Sequence, residues 1–129
     1  MKIILALILI YFVSLIVRWW RFEIAEINYF SGFKYSKMNK LDQARPFLEK
    51  AHSYHRLEVN NNYELANVYA RQSIVAENNG NFQLAKQLRQ KALWGYEEAL
   101  KANPGYDEIH FNLATVLFQH VRLLKNLGV

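Results

Sequence analysis

The chain has no cysteine, which excludes disulfides, thiolate metal sites and cysteine nucleophiles together. That absence is silent on compartment, because a cysteine-free chain folds equally well in oxidising or reducing surroundings. Only two prolines and five glycines occur in 129 residues, too few for a sandwich or barrel of many tight turns. No GxGxxG or GxxxxGK[ST] phosphate loop is present, and no serine sits in a GxSxG elbow. Charge is also missing from one place: Ile3 to Val17 is a fifteen-residue run with one serine and no charged residue. The length allows one compact domain, so an apolar head on a polar, helix-rich body is the feature to explain.

Fifteen helical residues span about 22 Å, short of a hydrocarbon core of about 30 Å. The flank Arg18-Trp19-Trp20-Arg21-Phe22 makes up the difference, since arginines snorkel and indole or phenyl rings suit the headgroup boundary. Residues 1–22 are therefore expected to be a single-pass transmembrane anchor, with Arg18, Trp19, Trp20, Arg21 and Phe22 at the membrane interface. A cleavable signal peptide shares Lys2 and the apolar run but needs a small-x-small site, and RWWRF is not one. Lys34, Lys37 and Lys40 beyond the anchor tip the positive-inside count slightly towards a cytoplasmic body.

Residues 23–129 read as helical throughout. Compared with itself at an offset of 41 residues, the body places Ile27, Val68 and Ile109 in register, and likewise Gly32, Ser73 and Ala114. Ala44 matches Ala85, Lys50 matches Lys91 and Ala51 matches Ala92. Apolar residues recur where a helix faces a core, and small ones where two helices approach closely. Met38-Asn39-Lys40, Asn60-Asn61-Asn62, Asn78 to Asn81 and Asn103-Pro104-Gly105 mark the breaks, with Gly80 suited to a left-handed C-cap. The helices are predicted near 23–37, 41–58, 63–78, 82–102 and 107–126. No proline or glycine occurs between Met1 and Ser31, so the anchor is free to continue into the first of them.

These residues resemble the tetratricopeptide repeat. Gly32, Tyr35, Ala44, Leu48 and Ala51 supply its pattern of small and large positions once. Gly80-Asn81-Phe82 with Ala85 and Ala92 supplies it again, Tyr96 to Pro104 looks like the end of such a repeat, and Asn112-Leu113-Ala114 opens a third. The resemblance covers about Ile24 to Gln119 and implies an all-α fold, a short α-solenoid of two and a half helix pairs after the anchor. The family period is about 34, so seven extra residues per repeat are placed at the C-terminal ends of the two second helices. Paired helices of HEAT type have periods of about 40–47 and are the alternative.

Little here suggests chemistry. Glu49-x-x-His52 and Asp107-x-x-His110 resemble half of a di-metal bundle site, which also requires glutamates from two other helices. His110 is expected in the core of its helix pair, and His52 and His55 on an exposed face. No enzyme, metal or cofactor is expected. Setting Lys2 aside with the head leaves the body at net +4, interleaved with acids rather than clustered, so a solvated helical face is expected and nucleic acid is not.

What remains is protein binding. In the tetratricopeptide family the first helix of each pair lines a concave groove. The matching positions here are Glu26, Tyr29, Phe33, Ser36 and Lys37, then Asn67, Ala70, Ile74 and Asn78, then Glu108, Phe111, Thr115 and Phe118. Tyr29 and Phe33 stand where the chaperone-binding members clamp a terminal carboxylate, so an apolar peptide or amphipathic helix is the expected occupant. Packing of these rings against the second helices or the anchor is the alternative. The chain is thus expected to be a membrane-anchored scaffold, an accessory subunit binding a membrane protein or a peptide segment of a larger complex. Self-association through unpaired ends of the stack is a further possibility. One membrane helix, an Arg/Trp flank and the run EEALKANPGYDEIHFNLA also look similar to the C-terminal end of bacterial O-antigen ligase and polymerase-like membrane proteins. Glycan chemistry in that family resides in upstream membrane helices, so this resemblance implies a non-catalytic accessory or split-off part.

Overall fold

The structure is a computed structural model that describes residues 1–128; Val129 and the side chain of Lys2 lie outside the described residues. Among these, five α-helices occur and no strand: α1 Lys2–Lys37, α2 Leu41–Tyr54, α3 Val59–Asn78, α4 Phe82–Ala102 and α5 Asp107–Asn126. Three-residue links join α1 to α2 and α3 to α4, which folds each pair back on itself as a hairpin. Each helix packs on the next in sequence, and α1 also meets α3. The core is a seam of alanines with a few large residues, among them Leu48, Leu65, Tyr96, Ile109 and Leu123.

With no glycine before position 32, α1 runs unbroken for 36 residues, about 54 Å. No helix end falls between residues 22 and 23, where the anchor was expected to give way to the body. None of the apolar N-terminal part from Ile3 to Val17 is buried, and α1 is the one described helix long and apolar enough to cross a membrane. Its C-terminal part packs on α2 through Gly32, where a Cβ would lie 2.6 Å from Leu48 Cγ and 3.1 Å from the Ala44 carbonyl oxygen.

The asparagine run at 60–62 is not a loop. α2 stops at Tyr54, and α3 starts at Val59, where the Glu58 carboxylate caps the Asn61 amide. Asparagine breaks helices when its amide competes for local backbone groups. Here the amides bond further away instead: Asn61 Nδ2 donates to the Leu48 carbonyl at 3.2 Å and Asn62 Nδ2 to that of Arg56 at 2.7 Å. α2 therefore ends four residues before its expected limit at 58, α3 starts four residues before its expected start at 63, and α4 ends at Ala102 as expected. The first turns of α3 and the last turns of α4 lie side by side in this antiparallel pair. Gly95 lets them close, since a Cβ there would meet Ala66 Cβ at 3.0 Å and the Asn62 carbonyl oxygen at 3.3 Å.

Burial across the 41-residue register shows where the stack has neighbours. Val68 and Ile109 are fully buried, whereas Ile27, on the first helix, has no helix before it and is 64% exposed. Ser73 is buried and so is Gly32, while Ala114 on α5 is exposed because no described helix packs on that side. His110 is exposed for the same reason, against the expectation of a core position, and its Nε2 lies 2.7 Å from the Pro104 carbonyl oxygen. His52 and His55 also differ from expectation. Both are half-buried, His52 edge-on to Trp94 with Nδ1 2.8 Å from Asn62 Oδ1, and His55 edge-on to Phe22.

The register extends to the turns. Gly80 adopts a left-handed φ of 75°, and Asn39, 41 residues earlier, adopts 59°, the conformation asparagine tolerates better than most residues. Pro46 lies inside α2, exposed, and the helix continues through it. Its missing amide leaves the Asp42 carbonyl without its helical donor on a face open to water.

Candidate functional site

A groove of about 330 Å³ crosses α1, α3 and α5. Lys37, Asn67, Ala70, Ile74 and Thr115 line it, five of the positions named from the repeat register. Phe111 and Phe118 lie on the Thr115 face of α5 and are 71% and 70% exposed. Asn78 is exposed at the far end of α3. Tyr29 and Phe33 stack tilted on each other at 5.8 Å, and Phe33 lies under the Lys37 ammonium at 4.7 Å. Tyr29 also packs against the core, and neither ring lines this groove.

The floor of the groove is polar, and sequence reading missed most of it. Glu64 is buried, accepts a hydrogen bond from Ser36 Oγ at 2.5 Å and lies 3.8 Å from Lys37 Nζ. Arg71 donates to the Ser36 carbonyl at 3.2 Å, to Ser36 Oγ at 3.1 Å and to Asn39 Oδ1 at 2.7 Å. Tyr96 donates to Asn67 Oδ1 at 2.7 Å. At the α5 side Tyr63 donates to Glu108 at 2.6 Å and accepts from Asn112 Nδ2 at 2.8 Å. Burial and then the bond to Glu108 push the Tyr63 hydroxyl up to about 12, so it stays a donor at neutral pH. Glu64 falls one residue after the expected helix start at 63, where the sequence pattern gives no inward face.

No protein-family model matches this sequence, and neither does any curated protein.

Below the groove, α1 meets the end of α2 at the level of the expected membrane interface. Arg21 Nη2 donates to the Ser53 and Tyr54 carbonyls, each at 3.4 Å, and its guanidinium lies 5.7 Å from the Tyr54 ring centre. A cation is favoured there, because the last carbonyls of α2 form the negative end of its dipole. Phe22 meets His55 with ring centres 4.6 Å apart. Trp19 and Trp20 are exposed, and Arg18 lines a cleft with Arg21 and Arg56. Glu26 and Tyr29, assigned to the groove from the register, line a different cavity, between α1 and the α2–α3 junction. Among the described residues no three histidine, aspartate or glutamate side chains gather as a metal site would require.

Proposed function

We propose that this chain is a single-pass, membrane-anchored scaffold of tetratricopeptide type, an accessory subunit that holds a peptide segment of a membrane-protein partner in the groove across α1, α3 and α5. The observation that carries this reading is that one helix does two jobs. α1 supplies the apolar stretch long enough to cross a bilayer and, through Lys37, one wall of the groove. A segment held there is held at a fixed height above the membrane. The buried Glu64 and the half-buried Arg71 and Asn67 at the groove floor favour a peptide with polar and charged side chains between apolar anchors, which Ile74, Phe111 and Phe118 would contact. Lys34, Lys37 and Lys40 favour a body on the cytoplasmic face.

The test is co-purification of the tagged full chain from membranes solubilised in mild detergent. A stoichiometric membrane-protein partner, lost on Ile74→Glu while the helical content is kept, is the expected result. Recovery of the chain alone would refute the reading. Protease protection of the body in sealed cells tests the sidedness separately.

A further inference from the structure

Two cavities meet where α1 leaves the expected bilayer. The lower, about 420 Å³, contains three guanidinium groups, Arg18, Arg21 and Arg56, and no carboxylate. The upper, about 360 Å³, contains Glu26 and Glu58 and no lysine or arginine. Phe22 and His55 line both, so the two are halves of one site with its charges separated.

The upper half holds an unused acceptor. Asn61 lines it, is 1% exposed, and its Oδ1 has no hydrogen-bond partner, while its Nδ2 is occupied by the Leu48 carbonyl. A buried acceptor left empty is unfavourable, so a donor that reached it through a small shift of its neighbours would be stabilised there. Neither Glu26 nor Glu58 takes part in an ion pair among the described residues. Two carboxylates line the cavity, and the Tyr29 hydroxyl on it is held above its ordinary value by burial first and then by the charges of Glu58 and Glu64. Rings of Phe22, Tyr29 and Phe30 line the cavity and suit the flank of a cation.

The order of the charges along α1 selects among ligands. Arg18 and Arg21 lie nearest the apolar run, and Glu26 lies about 7.5 Å beyond Arg21 along the axis. That height, about 6 Å past Phe22, falls within the headgroup layer, which adds several ångströms on each side of the hydrocarbon core. Leu57, on the α2–α3 loop beside Arg56, is exposed and lines the lower cavity with Val17, as suits a residue touching acyl chains. A headgroup with phosphate next to the glycerol and a primary ammonium two methylenes further out presents its charges in the same order. A cationic peptide would meet the three arginines first.

We propose that the paired cavities bind a phospholipid with an ethanolamine headgroup, its phosphate on Arg18, Arg21 and Arg56 and its ammonium on Glu26, Glu58 and Asn61 Oδ1. This rests on the reading of α1 as a membrane anchor. A trimethylammonium headgroup carries the same charge but donates no hydrogen bond to these three acceptors, so ethanolamine lipid is favoured over choline lipid by about tenfold.

The full chain, purified in mild detergent, is equilibrated with equal amounts of phosphatidylethanolamine, phosphatidylcholine and phosphatidylglycerol of matched chains, and bound lipid is counted by native mass spectrometry. Ethanolamine lipid is expected to dominate. Glu26→Gln, at an exposed position, is expected to bring the ethanolamine-to-choline ratio close to one, and Arg18→Gln to reduce retention of all three. Equal retention of the ethanolamine and choline lipids, a preference for phosphatidylglycerol, or a ratio unchanged by Glu26→Gln would overturn the proposal. So would displacement of the lipid by an equal concentration of soluble phosphoethanolamine, which would assign the site to a free molecule. Flotation of the same protein with vesicles keeps the two readings apart. Failure to float refutes the anchor, while flotation without headgroup preference refutes only the lipid site.

Discussion

Replacing Gly32 by alanine probes the contact that fixes α1 to α2. The added methyl would lie 2.6 Å from Leu48 Cγ, 2.7 Å from Leu48 Cδ2 and 3.1 Å from the Ala44 carbonyl oxygen. Leu48 is fully buried, so it has no open space to rotate into. Overpacking of this kind costs about 1–3 kcal/mol. Against it stands the gain from removing a mid-helix glycine, about 0.5–1 kcal/mol. The net is a loss of up to about 2.5 kcal/mol. Leu48→Ala alone costs about 2–5 kcal/mol through the cavity it leaves. In that background the two side-chain clashes vanish and only the carbonyl contact remains. Gly32→Ala then becomes neutral or stabilising, giving a coupling of about 1–3 kcal/mol between the sites. Urea unfolding of the full chain in detergent micelles, followed by far-UV circular dichroism, measures all four corners. The same loss in both backgrounds would refute the close packing of α1 on α2 at this point.

Arg89 is fully buried, pairs with Glu77 and donates to the Gln119 carbonyl at 3.2 Å, so Arg89→Ala should lower stability by about 3–5 kcal/mol; a drop in urea midpoint worth less than about 1 kcal/mol would mark the pair as solvent-screened. Burial, and then the charges of Arg89 and Lys86, hold the His120 imidazole below its ordinary value. As pH falls through about 6.5 the unfolded chain therefore takes a proton before the folded one, and stability declines until the folded value is passed. The melting temperature should fall more between about pH 7.5 and about pH 5.5 in the wild type than in His120→Gln, and equal falls would contradict the assignment. Gly80→Ala should cost about 1–2 kcal/mol from backbone strain alone, because φ is 75° and nothing lies within 4 Å of the added methyl; an unchanged midpoint would show that the turn relaxes freely.

Part of the fold was legible because the 41-residue register writes the same physical demand more than once. Small residues at 32, 44, 51, 85 and 92 mark close helix crossings, and each of these is buried. The ends of the stack were harder to read. Ile27, Ala114 and His110 match core positions in register, yet burial depends on a neighbouring helix, and the pattern within one helix does not say whether that neighbour exists. The start of α3 was missed because three asparagines in a row favour a turn locally, and only contacts with the end of α2 and its loop reverse that preference. For the groove, the register named the lining positions Lys37, Asn67, Ile74 and Thr115. It could not anticipate the polar floor, since Arg71 and Glu64 owe their roles to Ser36 and Asn39 in another helix. Arg89 escaped notice likewise: a charge among charges reads as solvated until its partners are known.

The central claim is that anchor and body share one rigid helix, which sets the groove at a fixed height above the membrane. The absence of cysteine makes a direct test available, because two introduced residues would be the only labelling sites. Spin labels at Leu9→Cys and Lys34→Cys, both exposed positions on α1, are 25 residues apart in sequence. In a continuous helix that separation is about 37 Å. Pulsed electron paramagnetic resonance on the chain in lipid nanodiscs should give one narrow distance distribution near that value. A broad or much shorter distribution would show a hinge between anchor and body, and would contradict the account.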